Sequence, residues 1–452
     1  RGRAGQGSAP ATPLGTAALA LVRISGQDTS RLVTALAGRT PLPRTATHID
    51  YRDVTGQLVD DVMLTYFRGP RSYTGEDAAE VTCHGNPFIA QKILEDLFAR
   101  GCRPAEPGEF TQRAFLNGRM DLSQAEAVMD LIHARSDRAL AAAHDQLRGA
   151  LGRQMQAVVD ELLAALARVE AYIDFPEEDL PAEDRDSVVQ QLERVRRETD
   201  RLLATRHYGE ILRDGIKTVI VGEPNVGKSS LLNRLVGRER ALVSAEPGTT
   251  RDFIEERIVV GPHCLRLIDT AGLNPLPGAL EKLGMERTRE RLAEADLVLV
   301  VVDGAERPGP LPSAITDQLK TETAIIVLNK SDLSSFSRSA SQRSFPPLPH
   351  VAVSAVTGSG IDELLNLITA KADSFQHHVG GEQIAVNARH AHALREARAA
   401  LQRALARLMA EGATELVASD LRTVLAAFGE IVGKVDNERM LDHLFATFCI
   451  GK

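Results

Sequence analysis

The sequence has no tryptophan, aromatic residues make up only 4% of its 452 residues, and there are only 4 cysteines. So few aromatics argue against a broad base-stacking platform of the kind that single-strand-binding proteins use. Cys83, Cys102, Cys264 and Cys449 are scattered without a C-x-x-C pair. That spacing argues against a disulfide framework or a zinc site and suits a reducing compartment, which points to the cytoplasm. No apolar run reaches the ~18 residues that a membrane-spanning helix needs, and the opening residues to Pro13 lack the apolar centre of a secretory signal. A soluble protein with no membrane partner is expected. The formal net charge of -8 gives no global electrostatic reason to bind nucleic acid, although a local basic surface is compatible with an acidic total.

The length exceeds what one hydrophobic core supports, so two or three domains are expected. The first ~115 residues mix strand-like stretches (Leu19 to Ile24, Val62 to Phe67, Glu80 to Cys83) with turn clusters and one amphipathic helix near Phe88 to Arg100, an α+β pattern. Helical spacing takes over from Leu122 to Leu166 and resumes from Ser187 to Leu203, after an acidic loop over Asp174 to Asp186. Between Lys217 and Ala370, apolar runs at Thr218 to Val221, Leu265 to Ile268, Leu297 to Val302, Ala324 to Leu328 and Val351 to Val353 alternate with helical segments. That alternation predicts a parallel, doubly wound α/β sheet. Helical periodicity returns over Arg389 to Met409 and Glu415 to Phe428. The two helical blocks therefore flank the α/β unit and are expected to form one discontinuous domain around it. The Ser- and Pro-rich stretch Ser334 to Pro349 reads as a surface loop.

The strongest chemical signal is Val219-Ile220-Val221-Gly222-Glu223-Pro224-Asn225-Val226-Gly227-Lys228-Ser229-Ser230, a strand, a G-x-x-x-x-G-K-S loop and a helix start. Gly222 and Gly227 let successive N–H groups point at phosphates, and the helix N-terminus adds a favourable dipole. Lys228 is placed to reach the β and γ phosphates, and the Ser229 hydroxyl to ligate Mg2+. Asn329-Lys330-Ser331-Asp332 follows the buried run that ends at Leu328. The Asp332 carboxylate can accept both N1–H and the exocyclic amine of guanine, a donor pair adenine lacks. Ser354-Ala355-Val356 supplies a second guanine-facing loop, so GTP is expected rather than ATP. Asp269-Thr270-Ala271-Gly272 ends a strand as Asp-x-x-Gly, with Asp269 near the Mg2+ water shell and the Gly272 N–H near the γ-phosphate. Pro247-Gly248-Thr249-Thr250 forms a loop in which Thr250 can close on Mg2+ while the γ-phosphate is present. Leu273 stands where many GTPases carry the glutamine that orients water, so another group must position the nucleophile.

These motifs combine with Val22-Arg23-Ile24-Ser25-Gly26, Ser72-Tyr73-Thr74-Gly75-Glu76-Asp77, Pro107-Gly108-Glu109-Phe110-Thr111, Phe115-Leu116-Asn117-Gly118-Arg119-Met120-Asp121-Leu122, Gln124-Ala125-Glu126-Ala127 and the terminal Phe448-Cys449-Ile450-Gly451-Lys452. Together they closely resemble the MnmE (TrmE) family of bacterial and organellar tRNA modification GTPases. The resemblance implies an N-terminal folate-binding and dimerisation domain over residues 1–116, a helical domain in two parts, 117–209 and 372–452, and a Ras-like GTPase domain inserted at 210–371. It implies a homodimer that works with the FAD enzyme MnmG in a heterotetramer, FAD sitting on that partner only. The pair adds an aminomethyl-type group (carboxymethylaminomethyl or aminomethyl) to carbon 5 of the wobble uridine of certain tRNAs. By the same resemblance Arg23, Glu80, Arg119 and Lys452 contact a formyl- or methylene-tetrahydrofolate, Arg119 standing where the family usually has lysine. Asn225, with Ser244, Glu246 and Thr249 in the loop that also holds Ala245, falls where the family binds K+. Glu281 matches the family's water-orienting glutamate, and Cys449 lies in the family's terminal motif, where two readings stay open: a catalytic part in the tRNA modification, or a small, partly buried residue beside the folate.

Two other classes remain open on the residues: a ribosome-assembly or translational GTPase switch, and a GTP-regulated folate-dependent transferase acting alone. The first usually carries a KH domain, tandem GTPase domains or a β-barrel, and none is legible after Ala370.

Overall fold

The structure is a computed structural model and describes residues 5–13, 15–174, 182–239, 255–269, 290–305, 316, 318–336, 348–375, 384–410, 413–433, 441 and 444–451. Two compact units divide the chain: Arg1–Met129 with Phe428–Lys452, and Asp130–Ala427.

Alternation builds the sheet of the first unit. In β4 (Leu58–Phe67) Val62, Leu64 and Tyr66 are buried while Asp61 and Met63 are exposed, the period-2 signature of a strand covered on one face. It pairs with β3 (Ala46–Arg52) and β5 (Ala78–His84), and the ladder continues through β2 (Leu19–Ser25), β1 (Gly7–Pro10) and β6 (Arg103–Pro104). The strand order is β3-β4-β5-β2-β1-β6, antiparallel except where β1 meets β6. Helices α1 (Thr29–Ala37) and α2 (Pro87–Ala99) supply Leu32, Val33, Ile93 and Leu97 to a core with Val22, Ile24, Tyr51, Leu64 and Val81. α2 starts cleanly because the Asn86 side chain accepts the Phe88 N–H and Pro87 occupies a first-turn position, where its missing donor costs nothing. A second cluster joins Leu122 and Ala125 of α4 (Leu122–His133) to Leu441, Phe445 and Phe448. Phe110 of α3 (Glu109–Leu116) packs with Ala9 and Ala105.

In the second unit, helices α5 (Asp137–Leu147), α6 (Ala150–Asp174), α7 (Ala182–Ala204) and α8 (Arg206–Asp214) precede the α/β part. The acidic loop expected to Asp186 is shorter than that spacing suggested, since α7 begins at Ala182. Its acidic first residues favour a helix N-terminus electrostatically, and Asp184 accepts the Tyr172 hydroxyl. Then come β7 (Ile216–Val221), α9 (Lys228–Glu239), β8 (Glu255–Val260), β9 (His263–Asp269), β10 (Leu297–Asp303), β11 (Ala324–Asn329), β12 (His350–Ala352) and α10 (Ile361–Asp373), followed by α11 (Ala388–Met409) and α12 (Thr414–Val432). The sheet order is β12-β11-β10-β7-β9-β8.

Both faces of this sheet are covered. Leu297, Leu299 and Val301 of β10 enter one core with Leu231, Leu235 and Ile361, while Val298, Val300 and Val302 enter another with Leu292 and Ile326. The expected all-parallel sheet needs one correction: β8 runs antiparallel to β9 at its edge. Only a two-residue turn, Gly261-Pro262, separates Val260 from its partner His263, and Gly261 has φ 55. A tight hairpin of this kind forces antiparallel pairing, with glycine at the first central position. No helix among the described residues is long and apolar enough to cross a membrane.

Candidate functional site: a phosphate cradle and two base-side loops

The parallel strands β7, β9, β11 and β12 deliver their loops to one edge of the sheet, the carboxyl ends where open α/β sheets bind ligands. β7 is buried almost throughout and delivers the chain to Gly222. A Cβ on Gly222 would lie 2.2 Å from Val301 O, and one on Gly227 would lie 2.2 Å from Asn329 Nδ2. No larger residue fits either position, and the backbone amides stand open where side chains would otherwise cover them. Asn225 adopts φ 65, a left-handed conformation that asparagine tolerates, and it is exposed on the loop. α9 starts at Lys228, whose Nζ folds back over the loop and donates to Gly222 O at 3.0 Å and Glu223 O at 2.8 Å. Ser229 and Ser230 stand exposed in the first turn of α9 behind it, where the helix dipole favours an anion.

Asn329, 2% exposed at the end of β11, joins the cradle to the far loop. Its Nδ2 donates to Val226 O at 2.8 Å and its Oδ1 accepts the Ala355 N–H at 3.0 Å. Lys330 follows with φ 64, and its Nζ donates to Asp303 Oδ2 at 2.5 Å. Ser331 N–H donates to Val353 O at 3.0 Å, and Asp332 is exposed on the same turn. Ser354 is buried, with its Oγ accepting the Thr357 N–H at 3.0 Å, while Val356 is exposed. Asn225, Val226, Gly227, Lys228, Asn329, Lys330 and Ala355, separate in sequence, thus belong to one connected edge. The backbone of Asp269 ends β9 opposite Ile220 of β7, beside the start of the cradle. The Asp269 side chain, Ser244, Ala245, Glu246, Pro247, Gly248, Thr249, Thr250, Thr270, Ala271, Gly272, Glu281 and Lys452 lie outside the described residues.

In the first unit, Arg23 on β2 stands directly across from Glu80 on β5. Arg23 Nε and Nη2 both donate to Glu80 Oε1, at 3.1 and 2.8 Å, and Nη1 donates to Gly451 O at 3.0 Å. The guanidinium carbon lies 5.4 Å from the Tyr73 ring centre and 5.8 Å from that of Phe110, within cation–π range. These three bonds leave further N–H donors of the guanidinium over for a ligand. Arg119 is exposed, and its stem lies over Gly75. Cys449 is exposed, which goes against the one of its two readings that has it partly buried: the chain is held there through its backbone, with Gly108 N–H donating to Cys449 O at 3.3 Å.

Sequence reasoning did not find the ionic knot beneath this face. Glu109 is buried, and its carboxylate takes bonds from Arg103 Nη2 at 2.6 Å, Arg113 Nη2 at 2.6 Å and the Glu106 N–H at 2.9 Å. Arg113 also donates to Glu76 Oε2 at 2.7 Å, and Glu76 accepts the Ser25 hydroxyl at 3.1 Å. Burial pushes the Glu109 carboxyl up, but the two guanidinium groups outweigh it and hold the group below the ordinary carboxylate range. Pro107-Gly108-Glu109-Phe110 was noticed as a motif, yet no spacing rule says that its glutamate meets arginines from two different elements.

A glycine-framed strand-to-helix loop with an arched lysine, tied through a buried asparagine to a loop beyond the next strands, defines a P-loop nucleotide-binding domain. The family model described as the MnmE helical domain matches residues 122–449, and that described as the GTP-binding protein TrmE N-terminus matches residues 8–119. The tRNA modification GTPase MnmE of Opitutus terrae is 60% identical over 445 residues, covering 98% of this chain and 98% of that protein. The proteins of the same description from Symbiobacterium thermophilum and Akkermansia muciniphila are 45% identical over 455 residues and 43% identical over 451, with 98% of this chain covered in each case and 99% and 98% of the relatives. The chain belongs to the MnmE family of tRNA modification GTPases.

Proposed function

We propose that the protein is a potassium-stimulated GTP hydrolase that acts with an FAD-dependent, MnmG-type partner. It adds an aminomethyl-type group to carbon 5 of the wobble uridine of certain tRNAs, with the carbon drawn from a tetrahydrofolate one-carbon unit. The observation that carries the nucleotide half is the Asn329 bridge, which couples the phosphate cradle to the loop at Ala355. Family membership over the whole length carries the tRNA half.

In hydrolysis, water attacks the γ-phosphorus and GDP leaves. Lys228 places positive charge by the β and γ phosphates, and the amides from Asn225 to Ser230, with Thr270, Ala271 and Gly272, hold the phosphate oxygens. Mg2+ would be held by Ser229 and Thr250, and K+ by Asn225, Ser244, Glu246 and Thr249. Each ion would offset phosphate charge in the transition state. Asn225 suits the K+ role because it carries a neutral amide oxygen and sits on the exposed, left-handed turn of the cradle. Glu281 orients the attacking water, and Asp332, Lys330 and Ser354 to Val356 receive the guanine. The folate would lie against Arg23, Glu80, Arg119 and Lys452. The two donors left on Arg23 fit a carboxylate-bearing carrier.

We assign residues 1–116 to folate binding and homodimerisation, 117–209 and 372–452 to one discontinuous helical domain, and 210–371 to the inserted GTPase domain, with the whole acting in the cytoplasm. The span of the helical-domain match on both sides of the β7–β12 sheet supports the insertion. The test is mass spectrometry of wobble uridines from cells lacking the protein. Loss of the C5 modification, restored by wild type and not by a Lys228→Ala variant, is expected. A full complement of modified uridine in those cells would refute the proposal.

A further inference from the structure

We propose that Arg234 is a positioning residue for the guanine-binding loop, an inference that rests on the nucleotide site proposed above. Arg234 lies on α9, two turns after Lys228, and it reaches away from the phosphates. Its Nε donates to Ala355 O at 2.9 Å and its Nη2 donates to Val356 O. Asn329 Oδ1 already holds the Ala355 N–H, so the loop is gripped from two sides.

One turn later on the same side of α9, Arg238 Nη2 donates to Asp362 Oδ1 at 2.5 Å, in the first turn of α10. The two arginines stitch the phosphate-binding helix to the segment that carries the base loop. The sheet alone cannot do this directly, because β11 and β10 separate β12 from β7 in the strand order. The loop itself is poorly buried: Val356 is 73% exposed and Thr357 and Ser359 are exposed.

A guanine nucleotide has to touch both places at once, phosphates at the N-terminus of α9 and base at Ala355. Arg234 fixes the distance between them before the ligand arrives, so less ordering is left for binding to accomplish. Its planar fork spans two successive carbonyls, which a lysine with a single ammonium group does less well. In the sequence Arg234 looks like any solvated helix arginine, and only its bonds to Ala355 O and Val356 O give it a task.

The experiment is calorimetric titration of the full-length protein with GDP, ADP and pyrophosphate, using wild type, Arg234→Ala and Arg234→Lys. GDP binding is expected to weaken about tenfold in Arg234→Ala and about threefold in Arg234→Lys, in line with lost charge-assisted hydrogen bonds, while pyrophosphate binding stays as in wild type. An equal loss for GDP and pyrophosphate would show that the substitution disturbs the phosphate helix itself, and it would overturn the proposal. So would unchanged GDP affinity in Arg234→Ala. If wild type binds ADP as tightly as GDP, the guanine site fails and this role falls with it.

Discussion

Replacing Asn329 by alanine tests the bridge between the phosphate cradle and the base loop. The side chain is 2% exposed and makes two bonds, one to Val226 O and one from Ala355 N–H. Its removal strands a carbonyl and an amide in a tight site, and each unsatisfied buried group costs roughly 1–3 kcal/mol. Taking about 1–1.5 kcal/mol for each of the two groups, because a water can reach part of the vacated space, gives about 2–3 kcal/mol. If the loss falls on the nucleotide-competent arrangement, GDP affinity should drop by about 30- to 150-fold. Asn329→Asp sharpens the test: it keeps the acceptor for Ala355 N–H but sets an oxygen against Val226 O, so it should lose at least as much. Gly227→Ala attacks the same contact from the other side, since its Cβ would lie 2.2 Å from Asn329 Nδ2. Because the two substitutions disturb one contact, their effects should be strongly non-additive. The assay is titration with a fluorescent GDP analogue, alongside thermal melts. Asn329→Ala binding GDP within twofold of wild type, with an unchanged melt, would refute the bridge.

Three further outcomes are expected. Glu109 has a folded pKa held below its unfolded value, so its stabilisation is present above about pH 4.3 and is lost as pH falls through the folded value. Glu109→Gln should therefore destabilise by about 3 kcal/mol at pH 7, the size expected for breaking a buried pair, and the gap to wild type should narrow in acid. A gap that stays constant from pH 7 to pH 3 would remove the charge from the explanation. GTP turnover should be much faster in potassium than in sodium, and equal rates would reject the monovalent-ion role of Asn225 and its partners. Glu281→Ala should lower single-turnover hydrolysis in saturating potassium by about 10² to 10⁴ while leaving GTP affinity nearly intact, as for a water-orienting group; hydrolysis at the wild-type rate would sink that role.

Legibility in the sequence followed burial. β10 and β11 are buried along nearly their whole length, so they read as continuous apolar runs, and the strand–loop–helix at Gly222 stood out against them. β8 escaped because an edge strand opening Glu255-Glu256-Arg257 has a charged start, and Ile258 and Val260 are what it is seen to carry into the core. β3 buries only Tyr51 fully, and β1 is four small residues that become a strand through partners on both sides, β2 and β6. In each case tertiary pairing supplied what local propensity lacked. The base-side motifs were visible as separate strings. Their connection through one asparagine amide, and the grip of Arg234 on Ala355, depend on which strands lie side by side, and no residue spacing encodes that directly.

Arg23 and Glu80 show how such pairing changes what a substitution can mean. Resemblance marks them as two separate contacts for a folate, but as cross-strand partners they bind each other. Arg23→Ala removes a proposed ligand contact, and it also releases Glu80, frees Gly451 O and strips the cation that stands over the Tyr73 and Phe110 rings. A fall in folate affinity in that variant therefore mixes direct contact with lost organisation of the pocket. Arg23→Gln, Glu80→Gln and the double variant separate the two, because a shared ion pair gives a coupling of about 0.5–3 kcal/mol in the folding free energy measured without folate. The part of each affinity loss that exceeds this coupling belongs to the ligand. If folding shows no coupling at all, the two side chains act on the folate independently, and their mutual bond contributes nothing to holding the site ready.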